Sequence, residues 1–264
     1  MQLYHHPFSL ESQKVRLALE EKDIDYLSHK MNPLKGRDLD LDFIHMNPTG
    51  KLPVFKNGDI VILNTLSIIG YIDNIKEPLG GDDIDREKML TWMQRIDEWK
   101  PKLFTLSHIP HKYILFFSSF KRRVIIARMA ESPDLASKYH LKLHDAYATE
   151  DQLKDRDSVN QIKEQLIGLL DDAENQLAET EFLAGSKFSL ADAMFIPILG
   201  RIELLNKKNE YISSRTHLSH YWNCVKQRPS YDAVIGKYFR GWRKYKTLYK
   251  TYCGVWIRNL FKRY

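Results

Sequence analysis

The spacing of apolar residues changes near residue 77, from short alternating runs to a three-to-four repeat that continues to the C terminus. Before the change, Gln2–His5 reads as a short strand. Ser12–Lys22 reads as a helix, with Val15, Leu17, Ala18 and Leu19 inward and Gln13, Lys14, Glu20 and Glu21 outward. Ile24–Ser28 predicts a second strand. The stretch KLPVFKNGDIVILN holds two β-rich runs around Lys56-Asn57-Gly58-Asp59, and an Asn-Gly pair between apolar runs is a strong hairpin signal. Thr65–Lys76 predicts a helix capped by the Thr65 hydroxyl. The order is βαβ then ββα, closed by a linker with glycines and acids at Gly80–Asp83.

Later segments all carry helical spacing: Arg86–Leu106, Val124–Met129, Asp134–Ala146, Asn160–Leu177 and Ala191–Leu204. Ser189 and Asp192 stand three apart, as in a capping box, at the start of the last of these. Pro229 ends a further helix. The pattern predicts an α/β domain over residues 1–77, a linker over 78–84, an all-α domain over 85–235 and a separate tail over 236–264.

Composition adds a compartment and a charge map. Hydrophobic residues at 43% support sizeable cores, and the two cysteines, Cys224 and Cys253, form no disulfide framework. The start lacks the pattern of a secretory signal, and the longest apolar run, Tyr113–Phe120, is far short of a bilayer span. These features predict a cytoplasmic protein. The formal charge of +6 is uneven: Lys237–Tyr264 holds nine Lys or Arg and no acid, leaving 31 basic against 34 acidic residues elsewhere.

Candidate chemistry begins at HHPFSLESQKV, where Ser9 and Ser12 occupy a strand-to-helix junction at C-x-x-C spacing. Two hydroxyls there cannot cycle through a disulfide. They can cap the helix, or one can donate a hydrogen bond to the thiolate of another molecule. Histidine pairs at 108/111, 140/144 and 217/220 have helical spacing without a cysteine or carboxylate partner set, so no metal is expected.

Three segments, HPFSLESQKVRLAL, NPTGKLPVF (Asn47–Phe55) and GSKFSLADAMFIP (Gly185–Pro197), resemble cytosolic glutathione transferases over most of residues 1–235. RMAESPDLAS, EYISSR and the basic tail are similar to the plant class named after tetrachlorohydroquinone dehalogenase, the TCHQD class. The resemblance implies a thioredoxin-like α/β N-terminal domain holding glutathione and an all-α C-terminal domain forming most of a second-substrate site. It also implies a homodimer, with a small hydrophobic electrophile as partner to glutathione.

Residue by residue, the resemblance makes Ser9 the catalytic serine, six positions before Val15, with Ser12 an ordinary cap. Leu52-Pro53 would be a cis bond whose leading residue pairs with glutathione's cysteinyl unit, and Lys51 would meet a carboxylate of the tripeptide. Asn64-Thr65 replaces the usual acid-Ser pair. Thr65 keeps a hydroxyl and a helix-terminal amide for the γ-glutamyl carboxylate, but Asn64 cannot supply an ion pair to the ammonium group. Lys35 and Arg37 are further candidates for a carboxylate. The bacterial dehalogenases of the class need a cysteine two residues past the serine. Glu11 stands there, which argues against dehalogenation and for conjugation or hydroperoxide reduction.

The tail repeats aromatic and apolar residues at Tyr238, Trp242, Tyr245, Tyr249, Tyr252, Trp256 and Leu260, opposite Arg240, Arg243, Lys244, Lys250, Arg258 and Lys262. This suits a helix lying on an anionic membrane surface. It equally suits packing on the helical domain or on a partner helix, and no nucleic-acid motif is present. Gly241 and Gly254 are expected to interrupt it. The alternative function is thus a catalytically weak, membrane-associated scaffold of the same fold.

Overall fold

In the computed structural model, which describes residues 1–262 apart from the side chain of Lys244, the first strand is central. β1 (Gln2–His5) runs parallel to β2 (Leu27–Lys30) and antiparallel to β3 (Val54–Asn57), which pairs with β4 (Ile60–Ile62) in the order β2-β1-β3-β4. The hairpin turns at Gly58, whose φ of +59° is the left-handed backbone that glycine adopts without strain. The second strand lies three residues later than its apolar pattern indicates. Asp23 takes a positive φ, and the buried Ile24 packs into the core before pairing starts. The polar edge segment Leu27–Lys30 then supplies the ladder beside β1.

The thioredoxin-like half contains α1 (Leu10–Glu21), α2 (Leu41–Met46) and α3 (Thr65–Asp73). The helical half contains α4 (Arg86–Glu98), α5 (Pro101–Ser107), α6 (His111–Glu131), α7 (Ala136–Lys154), α8 (Arg156–Glu179) and α9 (Leu190–Leu204). Shorter pieces follow: α10 (Lys208–Tyr211), α11 (Thr216–Val225), α12 (Pro229–Tyr231), a π-helical turn Asp232–Gly236 and α13 (Lys237–Phe239). The expected helix Arg86–Leu106 is two, because Pro101 disfavours helical backbone at the residue before it and opens α5 instead. Pro229 likewise starts a helix. Residues 111–154 form the α6–α7 hairpin.

α9 is the axis of the helical half. It packs on α1, α4 and α11 and is buried continuously from Leu190 to Ile202. Its start is held by the capping box of Ser189 and Asp192. The fully buried Asp192 carboxylate accepts from Ser189 N (2.9 Å), Ser189 Oγ (2.7 Å), Leu183 N (3.1 Å) and the Tyr221 hydroxyl (3.0 Å). One buried cluster runs without a break from Leu3 and Ile68 in the sheet half to Trp222 and Ile235. Across the same seam, Arg228 grips Glu21 with two hydrogen bonds of 2.8 and 2.6 Å.

The tail forms α14 (Gly241–Leu260). Gly241, at φ +55°, does separate it from α13. Gly254 does not interrupt it; the missing side chain instead leaves room for Lys35, whose Nζ would lie 3.1 Å from a Cβ there. The docked face is Thr251 and Val255, 4% and 0% exposed, with Asn32 Nδ2 donating to Thr251 Oγ1 and Arg258 to the Lys35 carbonyl. Tyr252 rests on Phe116. Most of the aromatic stripe points away, with Trp242 76% and Tyr249 72% exposed. The Lys244 side chain, Arg263 and Tyr264 lie outside the described residues.

Candidate active site at one end of the sheet

Topology gathers the expected residues. β3 runs antiparallel to β1 with Val54 opposite Tyr4, so Pro53 lies beside the end of β1 from which the chain continues to Ser9. β4 returns with Ile62 opposite Phe55 and leads to Thr65 at the same end. The Leu52-Pro53 bond is cis. Asn47, fully buried, shapes the approach to it: Nδ2 donates to the Lys51 carbonyl (2.7 Å), while Oδ1 accepts from Thr49 N and Oγ1. Lys51 itself is exposed.

Ser9 is the N-cap of α1, which begins at Leu10, two residues earlier than expected. Its oxygen accepts from Ser12 N at 3.3 Å, which leaves the hydroxyl proton free to donate outward. Ser12 is therefore not the cap. It lies buried in the first turn, and its Oγ accepts from His6 N at 3.4 Å. Glu11 is tied to the buried Lys14 at 2.9 Å.

The cap of α3 is Asn64 rather than Thr65. The Asn64 Oδ1 accepts from Ser67 N (3.0 Å) and Ser67 Oγ (3.3 Å). Thr65 is buried at the first helical position, where backbone N–H groups have no partner within the helix. Lys35 and Arg37 are turned elsewhere, Lys35 against α14 and Arg37 onto Asp40 at 3.2 Å.

Arg201 is the residue that pattern reading missed. It projects from α9, its guanidinium donating to the Phe8 carbonyl (2.5 Å) and Thr105 Oγ1 (3.1 Å), with a buried Nε that has no hydrogen-bond partner. Burial lowers its pKa to about 10. No carboxylate pairs with it among the described residues. Beside it, burial and the Arg201 charge push His6 down to about 4, so His6 is neutral at physiological pH. An arginine inside the apolar run LADAMFIPILGRIEL was the available signal. A groove of about 460 Å³ between α4 and α8, lined by Asp85, Arg95 and Asp172 among others, contains none of these residues.

Comparison with known proteins gives one family. Residues 3–79 match the family described as Glutathione S-transferase, N-terminal domain, and residues 134–229 the one described as Glutathione S-transferase, C-terminal domain. The chain is 54% identical to Glutathione S-transferase TCHQD of Arabidopsis thaliana, covering all of both chains. It is 29% identical to tetrachloro-p-hydroquinone reductive dehalogenase of Sphingobium chlorophenolicum, over 88% of this chain and 94% of that one. The fold is similar to poplar glutathione transferase F1, with a TM-score of 0.64 over 92% of this chain and 97% of that one, at 20% identity. On these matches the chain belongs to the glutathione S-transferase family, in its TCHQD class.

Proposed function

We propose that this protein is a serine-type glutathione transferase in which the Ser9 hydroxyl stabilises the thiolate of bound glutathione. The observation that carries the reading is the Ser9 hydroxyl: its oxygen is occupied by Ser12 N, its proton is free, and it stands at a helix N-terminus. A free thiol has a pKa near 8.5, and lowering it by about two units needs roughly 2.7 kcal/mol of preference for the anion. A charge-assisted hydrogen bond of about 1.5–3 kcal/mol and the helix terminus together suffice. The thiol proton leaves to solvent on binding. The sulfur then bonds to the electrophilic carbon, and the leaving group departs with its electron pair. The first-turn amides of α3 suit the γ-glutamyl carboxylate, and Lys51 suits the glycyl carboxylate. Glutathione conjugation of 1-chloro-2,4-dinitrobenzene, followed by absorbance, tests the reading; absence of both turnover and glutathione binding would overturn it.

Conjugation is favoured over reductive dehalogenation because Glu11, held by Lys14, occupies the position where that chemistry needs a thiol. The two cysteines belong to α11 and α14.

Arg201 adds positive charge behind Phe8-Ser9 and fixes that carbonyl. Arg201→Met is expected to raise the thiol pKa of bound glutathione by about one unit, read from thiolate absorbance near 240 nm. The unfolding midpoint should hold or rise, because exchanging a buried charge for an apolar side chain of similar size is often neutral or stabilising. A large loss of stability with an unmoved thiol pKa would make Arg201 purely structural.

A second reading concerns α14, whose exposed Trp242, Tyr249 and Trp256 accompany nine basic residues in a segment without acids. It holds the protein reversibly on anionic lipid, each basic residue contributing about 1 kcal/mol. Co-sedimentation with phosphatidylserine vesicles should fall at least ten-fold for a chain ending at Ile235 and for the full chain carrying Trp242→Ser, Tyr249→Ser and Trp256→Ser. Equal sedimentation of all three proteins would remove the lipid reading.

A further inference from the structure

Between the glutathione end of the sheet and the α6–α7 hairpin lies a group of lysines that the reading above does not use. The backbone at Gly50 is pressed against Lys142 of α7: a Cβ at Gly50 would lie 2.9 Å from its Cε and 3.0 Å from its Nζ. Lys51 follows directly. Lys121 of α6 reaches across to Asp38 at 2.7 Å, and the Asp38 carbonyl would meet the same Gly50 Cβ at 3.0 Å. Lys102 of α5 extends to Thr149 Oγ1 at 2.7 Å. Four ammonium groups thus share one region with two carboxylates, Asp38 and Asp145, and Asp38 is already engaged by Lys121.

The electrostatics agree with the geometry. Burial, then Lys121, lowers Lys142, with Lys51 adding to the effect against the pull of Asp38 and Asp145, to a pKa of about 8. The Lys102 ammonium, drawn down onto Thr149, is lowered first by its own desolvation and then by the same two lysines, although the side chain as a whole is exposed. Amines that a fold keeps together against their mutual repulsion mark a place suited to an anion. Lys51 and Lys102 are exposed and Lys142 is half-buried, so all three can be reached from solvent.

The location ties this region to the thiolate. Lys102 stands one helical turn before Thr105 on α5, and Thr105 receives the same Arg201 that holds the Phe8 carbonyl next to Ser9. Residues three apart on a helix are neighbours about 5–6 Å apart. The α5 surface therefore runs from the Arg201 contact behind Phe8-Ser9 to Lys102. The single glycyl carboxylate of glutathione, on Lys51, leaves positive charge unmatched.

Resting on the transferase reading, we propose that Lys102 and Lys142, beside the Lys51 that meets glutathione, form a subsite for an acidic group carried by the second substrate. The preferred electrophiles then bear a carboxylate or sulfonate, and a neutral chloronitrobenzene is a poor mimic of them.

Calorimetry with two conjugates tests this directly: S-(2,4-dinitrophenyl)glutathione and its analogue with a carboxylate on the aryl ring, S-(4-carboxy-2,6-dinitrophenyl)glutathione. At pH 7 the carboxylated conjugate is expected to bind about ten-fold more tightly. In Lys102→Gln/Lys142→Gln the ratio of affinities should drop to within two-fold. In the unmodified protein the ratio should also fall as pH rises from 7 to 10. Lys142 attracts an anion below its pKa of about 8 and loses its charge above it; the glutathione groups common to both conjugates cancel. A ratio near one at pH 7, or one unmoved by either the substitutions or pH, overturns the subsite and leaves the transferase reading intact. Failure of both conjugates to bind overturns both.

Discussion

Ser9→Ala is expected to lower kcat/KM for conjugation of 1-chloro-2,4-dinitrobenzene about 100-fold, equivalent to roughly 2.7 kcal/mol of lost thiolate stabilisation. The same change should return the thiol of bound glutathione toward its free pKa of about 8.5. The complication is that Ser9 also caps α1, and losing a cap costs about 0.5–2 kcal/mol of stability. Ser9→Asp separates the two roles. Aspartate is as good a cap as serine, yet a carboxylate accepts hydrogen bonds without donating and repels a thiolate. Stability should therefore survive in Ser9→Asp while activity falls at least as far as in Ser9→Ala. Activity retained in Ser9→Asp would assign Ser9 to capping alone. Activity retained in both variants would transfer thiolate stabilisation to Arg201 and the α1 terminus.

Asp192→Ala should destabilise the protein by about 3–5 kcal/mol, a large part of the 5–15 kcal/mol that holds a typical domain together. Asp192 is fully buried and its carboxylate receives two backbone amides and two hydroxyls. Its removal strands buried donors on Leu183, Ser189 and Tyr221, each costing about 1–3 kcal/mol when left unpaired. Burial raises the pKa of this carboxyl, and the four donors act in the opposite direction. Because α9 contacts α1, α4 and α11, loosening its start affects both halves of the cluster that spans the seam. Urea denaturation of the full chain is the measurement, with Asp192→Asn as a variant that keeps the shape and one acceptor. A loss below about 1 kcal/mol for Asp192→Ala would show that α9 is held by packing alone.

The two predictions differ in how early their residues can be read. Ser189 and Asp192 are a local pair, three apart on one helix, and their spacing announces the capping box before any tertiary contact exists. Ser9 is local as a cap but not in the role proposed for it toward glutathione. Its place at the same end of the sheet as Pro53 and Thr65 follows from the register of β1, β3 and β4. The motif NPTGKLPVF marks the place, whereas the work of Asn47 in bonding the Lys51 carbonyl and Thr49 is a matter of geometry within the loop.

Where local pattern and tertiary structure differ in this chain, the cause is physical. The hydroxyls of Ser12 and Thr65 suggest caps, yet the residues that take extended backbone are Ser9 and Asn64. Helix ends are set by where the backbone leaves the helical region, and several polar residues nearby can satisfy the first amides equally well. The apolar Ile24 suits a strand by its pattern; it is buried, but as a core contact preceding the ladder. In α14 the aromatic repeat is the most conspicuous feature, yet the residues the helix buries are Thr251 and Val255, which face Asn32 and the α6 cluster, while most of the aromatics stay exposed.

By itself the sequence determined what short-range chemistry can encode: the hairpin at Asn57-Gly58, the helical period after residue 85, the capping box, the absence of a dithiol beside α1, and the concentration of charge in the tail. These depend on residues within a few positions of one another. Only the tertiary structure decided which polar groups meet across the chain. Arg201 reaches Phe8 over 193 positions, and Lys142 reaches Gly50 between two elements that no periodicity connects. Such contacts follow from how α5, α7 and α9 stack on the sheet half, and stacking is settled by the shape of a shared core rather than by any local motif.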